Sequence, residues 1–276
     1  MVTSQDGCFC SLENQICMKL MLQSLLQHPL TKGLNIDDPD TTRLRRSIIQ
    51  KKIFLKKIYE EWYTLLDDFL PADLAGNILE LGSGAGFLKE IMPDAITSEI
   101  FYVSGIDVVL DGCELPFKEK TLSGILMTNV FHHLTDIKSF LKESNRCVRQ
   151  GGIIAMIEPW VTPLSMWVYR NLHHEPCEME SKEWGFQGKG PLSCANSALA
   201  WIIFQRDKKI FESEFPQWKI QKIEPIMPFL YLISGGISLR SLQPGWSYCF
   251  WRRAENIFKP VWNKMAMFAL IILRKN

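Results

Sequence analysis

The fold of this chain is decided by residues 77–91, which read NILELGSGAGFLKEI. A short apolar run is followed by glycines at alternate positions, Gly82, Gly84 and Gly86, and then by the start of a predicted helix. Glycines directly after a strand permit a tight turn and a close approach of backbone to a ligand. The stretch therefore predicts a strand at 77–81 with a ligand-binding turn at its carboxyl end.

From residue 77 onward, short apolar runs alternate with helix-length segments, a pattern typical of a parallel sheet with crossover helices. The fold class predicted is therefore α/β, with a Rossmann-like sheet. The remaining strands are predicted at 95–100, 106–110, 123–129, 152–158, Trp218–Ile226 and 267–274, and the helices between them at 86–92 and 136–148.

Two helices are predicted before the sheet. The first covers residues 11–28 and ends at His28-Pro29, and the second runs from Thr41 or Thr42 to residue 70 with Asp40 as its N-cap. We expect an N-terminal helical cap over residues 1–72 and a core over residues 73–276. The core is expected to contain substrate-side insertions at about 160–195 and 228–264, of which the second forms a lid before the last strand.

Composition excludes several classes of partner. Lys and Arg number 31 against 30 for Asp and Glu, so no global field attracts nucleic acid or a charged membrane. The eight cysteines include no CxxC pair, and the N-terminus lacks a secretory signal, so a cytoplasmic protein with reduced thiols is expected. The most apolar runs are too short to span a bilayer, which leaves peripheral membrane contact open. The oligomeric state is not constrained.

The ligand of the glycine turn is indicated by a carboxylate. Glu80 precedes the GxGxG spacing, and its charge suits an ammonium or sulfonium group better than a pyrophosphate. Glu99 follows the second predicted strand, at the spacing of about 20 residues that suits ribose hydroxyls. Asp111 ends the third strand, where it can accept a bond from the exocyclic amine of a base. The three acids together predict a positively charged nucleoside as ligand.

These residues lead to a family resemblance. The segments ILELGSGAG, DGCELPF at 111–117, TNVFHHL at 128–134 and RCVRQGGIIAMIEP at 146–159 occur in unbroken order. They resemble class I S-adenosylmethionine-dependent methyltransferases, specifically the small-molecule, methyltransferase type 11-like group. The resemblance covers roughly residues 77–159. It implies S-adenosyl-L-methionine as cofactor and a seven-stranded sheet, mostly parallel, whose last strand is antiparallel.

The resemblance also implies a role for each cofactor-site residue. Glu80 and the glycine loop would face the methionine end, Glu99 the ribose, Asp111 the adenine, and Asn129 the sulfonium region. The complete set implied is Glu80, Gly82, Ser83, Gly84, Gly86, Glu99, Asp111, Gly112, Cys113, Asn129 and Val130. One departure is the short chain between Glu99 and Asp111, where the crossover helix must be minimal or absent.

The acceptor is predicted to be a small molecule. TNVFHHL replaces the Asn-Pro-Pro-Tyr type of motif used on base or amide nitrogens, and no basic and aromatic interleaving suggests nucleic acid. Methylation of oxygen or carbon is therefore expected, on a sugar, a lipid-linked saccharide or a secondary metabolite. The alternative is a non-catalytic protein that binds S-adenosylmethionine or S-adenosylhomocysteine and acts through a partner.

Adjacent histidine pairs supply the catalytic candidates. In the run NLHHEPCE, His173 or His174 would deprotonate the acceptor, with Glu175 or Glu158 orienting the ring. His133 is a further candidate, although a cofactor-shaping role is favoured for the pair His132-His133.

A metal-dependent alternative uses overlapping residues. A divalent metal would be held by His173, His174 and Glu175, with Glu158 or Cys177 as a further ligand. Adjacent histidines rarely bind one metal, so the base is favoured and no metal is expected. A third possibility is that the pair His173-His174 only caps a loop.

Overall fold

The computed structural model describes residues 28–31, 35–172, 175–186, 190 and 192–276. Residues 11–27 of the first predicted helix lie outside this range. The helices are α1 Pro39–Lys51, α2 Ile53–Asp67, α3 Ile137–Cys147, α4 Pro163–Asn171, α5 Leu199–Trp201, α6 Lys208–Glu214, α7 Leu230–Ser234, α8 Tyr248–Ile257 and α9 Trp262–Met265. The strands are β1 Asn77–Leu81, β2 Ile96–Glu99, β3 Val108–Val109, β4 Leu122–Thr128, β5 Val148–Pro159, β6 Trp218–Ile226 and β7 Phe268–Lys275.

All seven strands form one sheet in the order β3-β2-β1-β4-β5-β7-β6. The first five are parallel, whereas β7 is antiparallel to both of its neighbours, with Met156 opposite Ile271. The predicted α/β fold, including the antiparallel last strand, is confirmed. The strand order reverses between β1 and β4, and the carboxyl ends of strands at such a point flank a ligand crevice.

The sheet has a packed apolar layer on each face, because alternate residues of a strand point to opposite sides. On β5, Ile154 and Met156 belong to the layer that contains Phe140 of α3. Ile153 and Ala155 belong to the opposite layer, which contains much of α2. The N-terminal helices are therefore part of the core packing on one face of the sheet.

The single helix predicted from residue 41 to residue 70 is wrong, because the helix is interrupted at Lys52. The backbone of Lys52 is not helical, and its ammonium donates hydrogen bonds to the carbonyls of Gly236 and Leu239. The predicted N-cap is also wrong. Asp38 caps α1 by accepting a bond from the Asp40 amide at 2.9 Å, which places Asp40 inside the first turn.

The helix predicted over 86–92 is reduced to a 3-10 turn at Leu88–Glu90. Tyr63 accepts a hydrogen bond from the Phe87 amide, and Pro93 follows within a few residues, so the segment has no room to propagate a helix. The segment between β2 and β3 contains no helix either, as the short spacing between Glu99 and Asp111 predicted.

Candidate functional site

A cavity of about 420 Å³ lies at the carboxyl ends of β1, β4 and β5. It is enclosed by the N-terminal helices, by α4 and by the segment 231–242 that follows β6. The predicted site residues that form its wall are Glu80, Gly82, Gly86, Glu99, Asn129, Val130, His133 and Glu175. His132 of the TNVFHHL motif is also in the wall, whereas Arg45, Tyr59, Tyr63 and Tyr231 are brought there only by the fold.

Glu80 is a charged group directly before the glycine turn. Its side chain is buried, and within the described residues its Oε2 atom has no hydrogen-bond partner. Burial raises the pKa of Glu80 to about 7, although a hydrogen bond from Ser83 opposes the shift. A buried carboxylate oxygen without a partner is costly unless a ligand supplies a donor or a positive charge.

Glu99 fixes the glycine loop from the end of β2. One carboxylate oxygen accepts the Gly84 amide at 3.0 Å, and the other accepts the Ile100 amide at 2.9 Å. A Cβ atom at Gly84 would overlap this carboxylate, so the loop requires glycine there. Burial raises the pKa of Glu99. Ser83 does not reach the cavity wall, but joins the β1 and β2 loops through its bonds with Ser98.

The turn after β4 is fitted against the glycine turn. Asn129 adopts φ +57°, a left-handed conformation that asparagine tolerates better than most residues. Gly82 also has a positive φ, +72°, and a Cβ atom there would overlap the side chain of Val130. The two turns therefore approach each other closely enough to form one continuous wall of the cavity.

Asp111, Gly112 and Cys113 are not among the residues that form the cavity wall. The Asp111 carboxylate accepts the Cys113 amide at 2.8 Å and so closes its own turn, while a Cβ atom at Gly112 would meet Leu81. Their assignment to the adenine therefore stays a prediction.

His132 lies between two carboxylates. Its Nδ1 atom is 2.6 Å from Glu158 and its Nε2 atom is 3.4 Å from Glu175. Burial by itself would lower the pKa of His132, but the two carboxylates raise it to about 10. Glu158, fully buried at the end of β5, also accepts the amides of Val130 and Phe131 at 2.7 and 2.8 Å.

His133 and Glu175 meet at the cavity wall. The ring of His133 is hydrogen-bonded through Nδ1 to the carbonyl of Cys194 at 3.1 Å, and its Nε2 is 3.9 Å from Glu175. A carbonyl can only accept, so Nδ1 carries the proton and Nε2 keeps its lone pair. Burial, followed by the charge on His132, lowers the pKa of His133 to about 4. His133 is therefore a neutral imidazole near pH 7.

Within the described part of the chain, His132, His133 and Glu175 also have the composition of a metal site. Each offers a ligand atom, and these atoms lie within 4.8 Å of one another. The metal-dependent alternative predicted from the sequence used His173 and His174, which lie outside the described residues. The structure thus provides a different set of residues for the same chemistry.

Residues 79–156 match the family model described as "Methyltransferase domain". The matched segment begins in β1, ends in β5 and includes the glycine turn, the β4 turn and the His132-His133 pair. Residues 79–156 therefore carry a methyltransferase domain. The predicted enzyme class and the predicted cofactor, S-adenosyl-L-methionine, are confirmed.

Two solved structures are similar to the methyltransferase. Geranyl diphosphate C-methyltransferase from Streptomyces coelicolor A3(2) has 12% sequence identity and a TM-score of 0.41, and the match covers 80% of this chain and 81% of that one. A SAM-dependent methyltransferase from Aquifex aeolicus has 13% identity and a TM-score of 0.42, with coverage of 86% and 98%. No curated protein matches the chain.

The cavity of the methyltransferase fits its cofactor on two observations. The unpartnered Glu80 oxygen is an acceptor for the ammonium of the methionine part, and Gly82 and Gly86 of the glycine turn form the cavity wall beside it. No helix within the described part of the chain has the length and hydropathy to cross a bilayer.

Proposed function

We propose that the methyltransferase acts in the cytoplasm and transfers a methyl group to an oxygen or carbon atom of a small molecule with an apolar part. The observation that carries this proposal is the continuity of one cavity wall from Glu80 to His133 and Glu175. The cofactor and the molecule to be methylated could then lie in the same enclosed space, with a group that can take a proton beside them. A sugar carried on a lipid and an apolar secondary metabolite are both consistent with this arrangement.

S-adenosylmethionine, when bound, supplies an electrophilic methyl group on a good leaving group. The protein must orient the acceptor and remove its proton. His133 suits the second task because it lies in the cavity wall and its Nε2 atom is unprotonated near pH 7. Glu175 lies beside this atom and stabilises the positive charge that the ring acquires on taking the proton.

His132 and Glu158 act as positioning residues in this proposal. The Glu158 carboxylate holds His132 and the amides of the β4 turn, and His132 in turn contacts Glu175. The pair thereby fixes the position of the turn after β4, which carries His133. His173 and His174 remain candidate bases, since they are adjacent to Glu175 in the sequence.

The wall beyond the polar group supports an acceptor with an apolar part. It is formed largely by aliphatic and aromatic side chains from α4, from α7 and from the loop that follows α7. These are Leu164, Trp167, Val168, Leu172, Leu232, Ile233, Leu239 and Leu242. Such a surface favours burial of hydrocarbon or an aromatic ring. We also propose that residues 1–72 form a helical cap and that the segments 160–195 and 228–264 set substrate specificity.

Two measurements test the proposal. Calorimetric titration with S-adenosylmethionine should show binding that is weakened in Glu80→Ala. Labelled cofactor, incubated with the protein and with polar and lipid extracts of the native host, should give a labelled small molecule. Cofactor binding without label transfer to any fraction would instead support a non-catalytic binding protein.

A further inference from the structure

The helix α8 exposes large apolar residues to solvent, while charged side chains on its other side are paired within the protein. On the inner side, Tyr248 donates a hydrogen bond to Glu61 at 2.5 Å, and Arg252 pairs with the same carboxylate at 2.7 Å. Glu255 is fully buried and accepts the amides of Phe229 and Leu230. A helix on the surface of a globular protein normally shows the opposite arrangement.

The outer side forms what we name the α8 surface, consisting of Trp246, Phe250, Arg253, Ile257, Phe258, Lys259, Val261 and Lys264. Trp246 is 83% exposed, Ile257 76% and Phe250 65%. Positions 250, 253 and 257 follow helical spacing on α8, so these side chains lie along one stripe, and Trp246 lies in the 3-10 turn directly before the helix. Contiguous exposed apolar residues of this size mark a site of interaction with another surface.

The charge of this region has one sign. Between residues 238 and 267 the only acidic residue is Glu255, which is buried. Arg253, Lys259 and Lys264 are exposed there. Large apolar side chains interspersed with Lys and Arg are the composition of segments that lie in the interface of a bilayer containing anionic lipid.

The α8 surface continues to the mouth of the catalytic cavity. Leu242, four residues before Trp246, is 57% exposed and also lines the cavity. Trp167 on α4 has the same exposure and lines the cavity as well. Leu242 and Trp167 thus expose apolar surface at the mouth of the cavity, and Leu242 lies close in sequence to the α8 surface.

We propose that the α8 surface docks the methyltransferase on an anionic lipid bilayer, from which an amphiphilic acceptor enters the cavity past Trp167 and Leu242. The docking itself is independent of the function proposed above, whereas the route of the acceptor rests on it. A second copy of the chain fits the surface less well. A twofold interface would bring two copies of the same positively charged segment together, with no exposed acid in the segment to neutralise them.

The test uses the full chain in a vesicle flotation assay. Wild-type protein should float with vesicles of phosphatidylglycerol and phosphatidylcholine, and more weakly with phosphatidylcholine alone. Phe250→Glu and Ile257→Glu should each lower the partition coefficient about tenfold or more, because a large apolar side chain no longer enters the lipid. Arg253→Glu should lower it several-fold on the anionic vesicles only.

The matched control is Ile210→Glu, a change of an exposed apolar residue on α6, far along the chain from the α8 surface. It should float like wild type, and every variant should keep wild-type affinity for S-adenosylmethionine, which shows that it is folded. Failure of the wild type to float would overturn the proposal, as would equal flotation of all four variants. Light scattering that shows a wild-type dimer and monomeric Phe250→Glu would assign the surface to a second copy instead. None of these outcomes changes the cofactor-binding or label-transfer results. A failure of the docking proposal can therefore be distinguished from a failure of the proposed function.

Discussion

The imidazole of His132 is held at 2.6 Å by the carboxylate of Glu158, which is fully buried at the end of β5. The same carboxylate accepts the amides of Val130 and Phe131, so one side chain connects β5 to the turn after β4. This contact determines where His133, the next residue, meets the cavity. The positions of the turn and of the candidate base are therefore coupled through Glu158.

Replacing Glu158 should weaken the fold in a pH-dependent way. Glu158→Gln leaves a protonated His132 with one carboxylate fewer, and breaking a buried charged pair costs roughly 3–5 kcal/mol of unfolding free energy. The folded pKa of His132 is about 10 against 6.5 for an isolated histidine, so its protonation stabilises the fold below pH 6.5. This contribution is lost as the pH rises from 6.5 to about 10.

Urea unfolding at several pH values checks this expectation. The wild type should lose stability across the window from 6.5 to 10, and Glu158→Gln should lose much less across the same window. Glu180→Gln, a change of an exposed glutamate, serves as the control and should behave like wild type. Identical pH slopes in wild type and Glu158→Gln would contradict the coupling.

Affinity for S-adenosylmethionine should rise with pH through the titration of Glu80. Its pKa is about 7 in the unliganded protein, so the carboxylate that attracts an ammonium becomes fully charged only above that value. Because the folded pKa lies above the ordinary 4.5, the unliganded protein should lose roughly 3 kcal/mol of stability as the pH rises from 4.5 to beyond 7.

Calorimetry below and above pH 7 measures the first effect, and thermal unfolding without ligand measures the second. Glu80→Gln should bind the cofactor more weakly at the higher pH and should lose most of the pH dependence. Glu60→Gln, at an exposed position on α2, should retain both. Wild-type affinity in Glu80→Gln would remove this residue from the cofactor site.

Methyl transfer should depend on His133 and Glu175 more than cofactor binding does. Removing a general base typically lowers a rate by about 10²–10⁴-fold. We therefore expect His133→Ala to lower kcat by this order, and Glu175→Gln by less, with the dissociation constant of S-adenosylmethionine nearly unchanged. Single-turnover transfer to the identified acceptor, beside calorimetry, separates the two quantities. If His173→Ala or His174→Ala abolished transfer while His133→Ala did not, the base would be assigned to that residue.

A chelator distinguishes the base from a metal held by the same group. If His133 acts as the base, prolonged dialysis against a chelator should leave the rate unchanged, and elemental analysis should find no stoichiometric metal. Loss of activity that returns with Zn²⁺, Mn²⁺ or Co²⁺ would assign His132, His133 and Glu175 to a metal instead.

Lys52 should stabilise the segment that closes the cavity. Its ammonium donates to the carbonyls of Gly236 and Leu239, and burial lowers its pKa to about 8. Lys52→Met leaves these carbonyls without their donor, at a cost of about 1–3 kcal/mol. Limited proteolysis should then cut within 235–243 more rapidly than in wild type. Lys51→Met changes the exposed neighbour and should have little effect on cleavage; equal cleavage of both variants would contradict this role.

Much of the fold was predictable because its strands are encoded locally. The bounds of β1 and β6 agree with the prediction, and the other strands differ only at their ends, except β5, which begins several residues earlier. An apolar run of strand length next to glycine has few other ways to bury its side chains. The glycine turn, Glu80 and Glu99 could be placed at strand ends for the same reason.

Elements whose form depends on distant residues were not predictable. At the break between α1 and α2, the Lys52 ammonium is held by carbonyls almost two hundred residues later. In the segment 86–92, Phe87 has a non-helical backbone and donates its amide to Tyr63, more than twenty residues earlier. The local sequence of either segment does not indicate these distant partners.

The candidate site divides in the same way. Local sequence established the methyltransferase core, its glycine turn and a carboxylate suited to a cationic ligand, since each depends on a strand end and the few residues after it. Only the folded chain brings His132 between Glu158 and Glu175, leaves Asp111 outside the cavity wall and turns the apolar side of α8 to solvent. These relationships are contacts between separate elements, and their geometry follows from how those elements pack on the sheet.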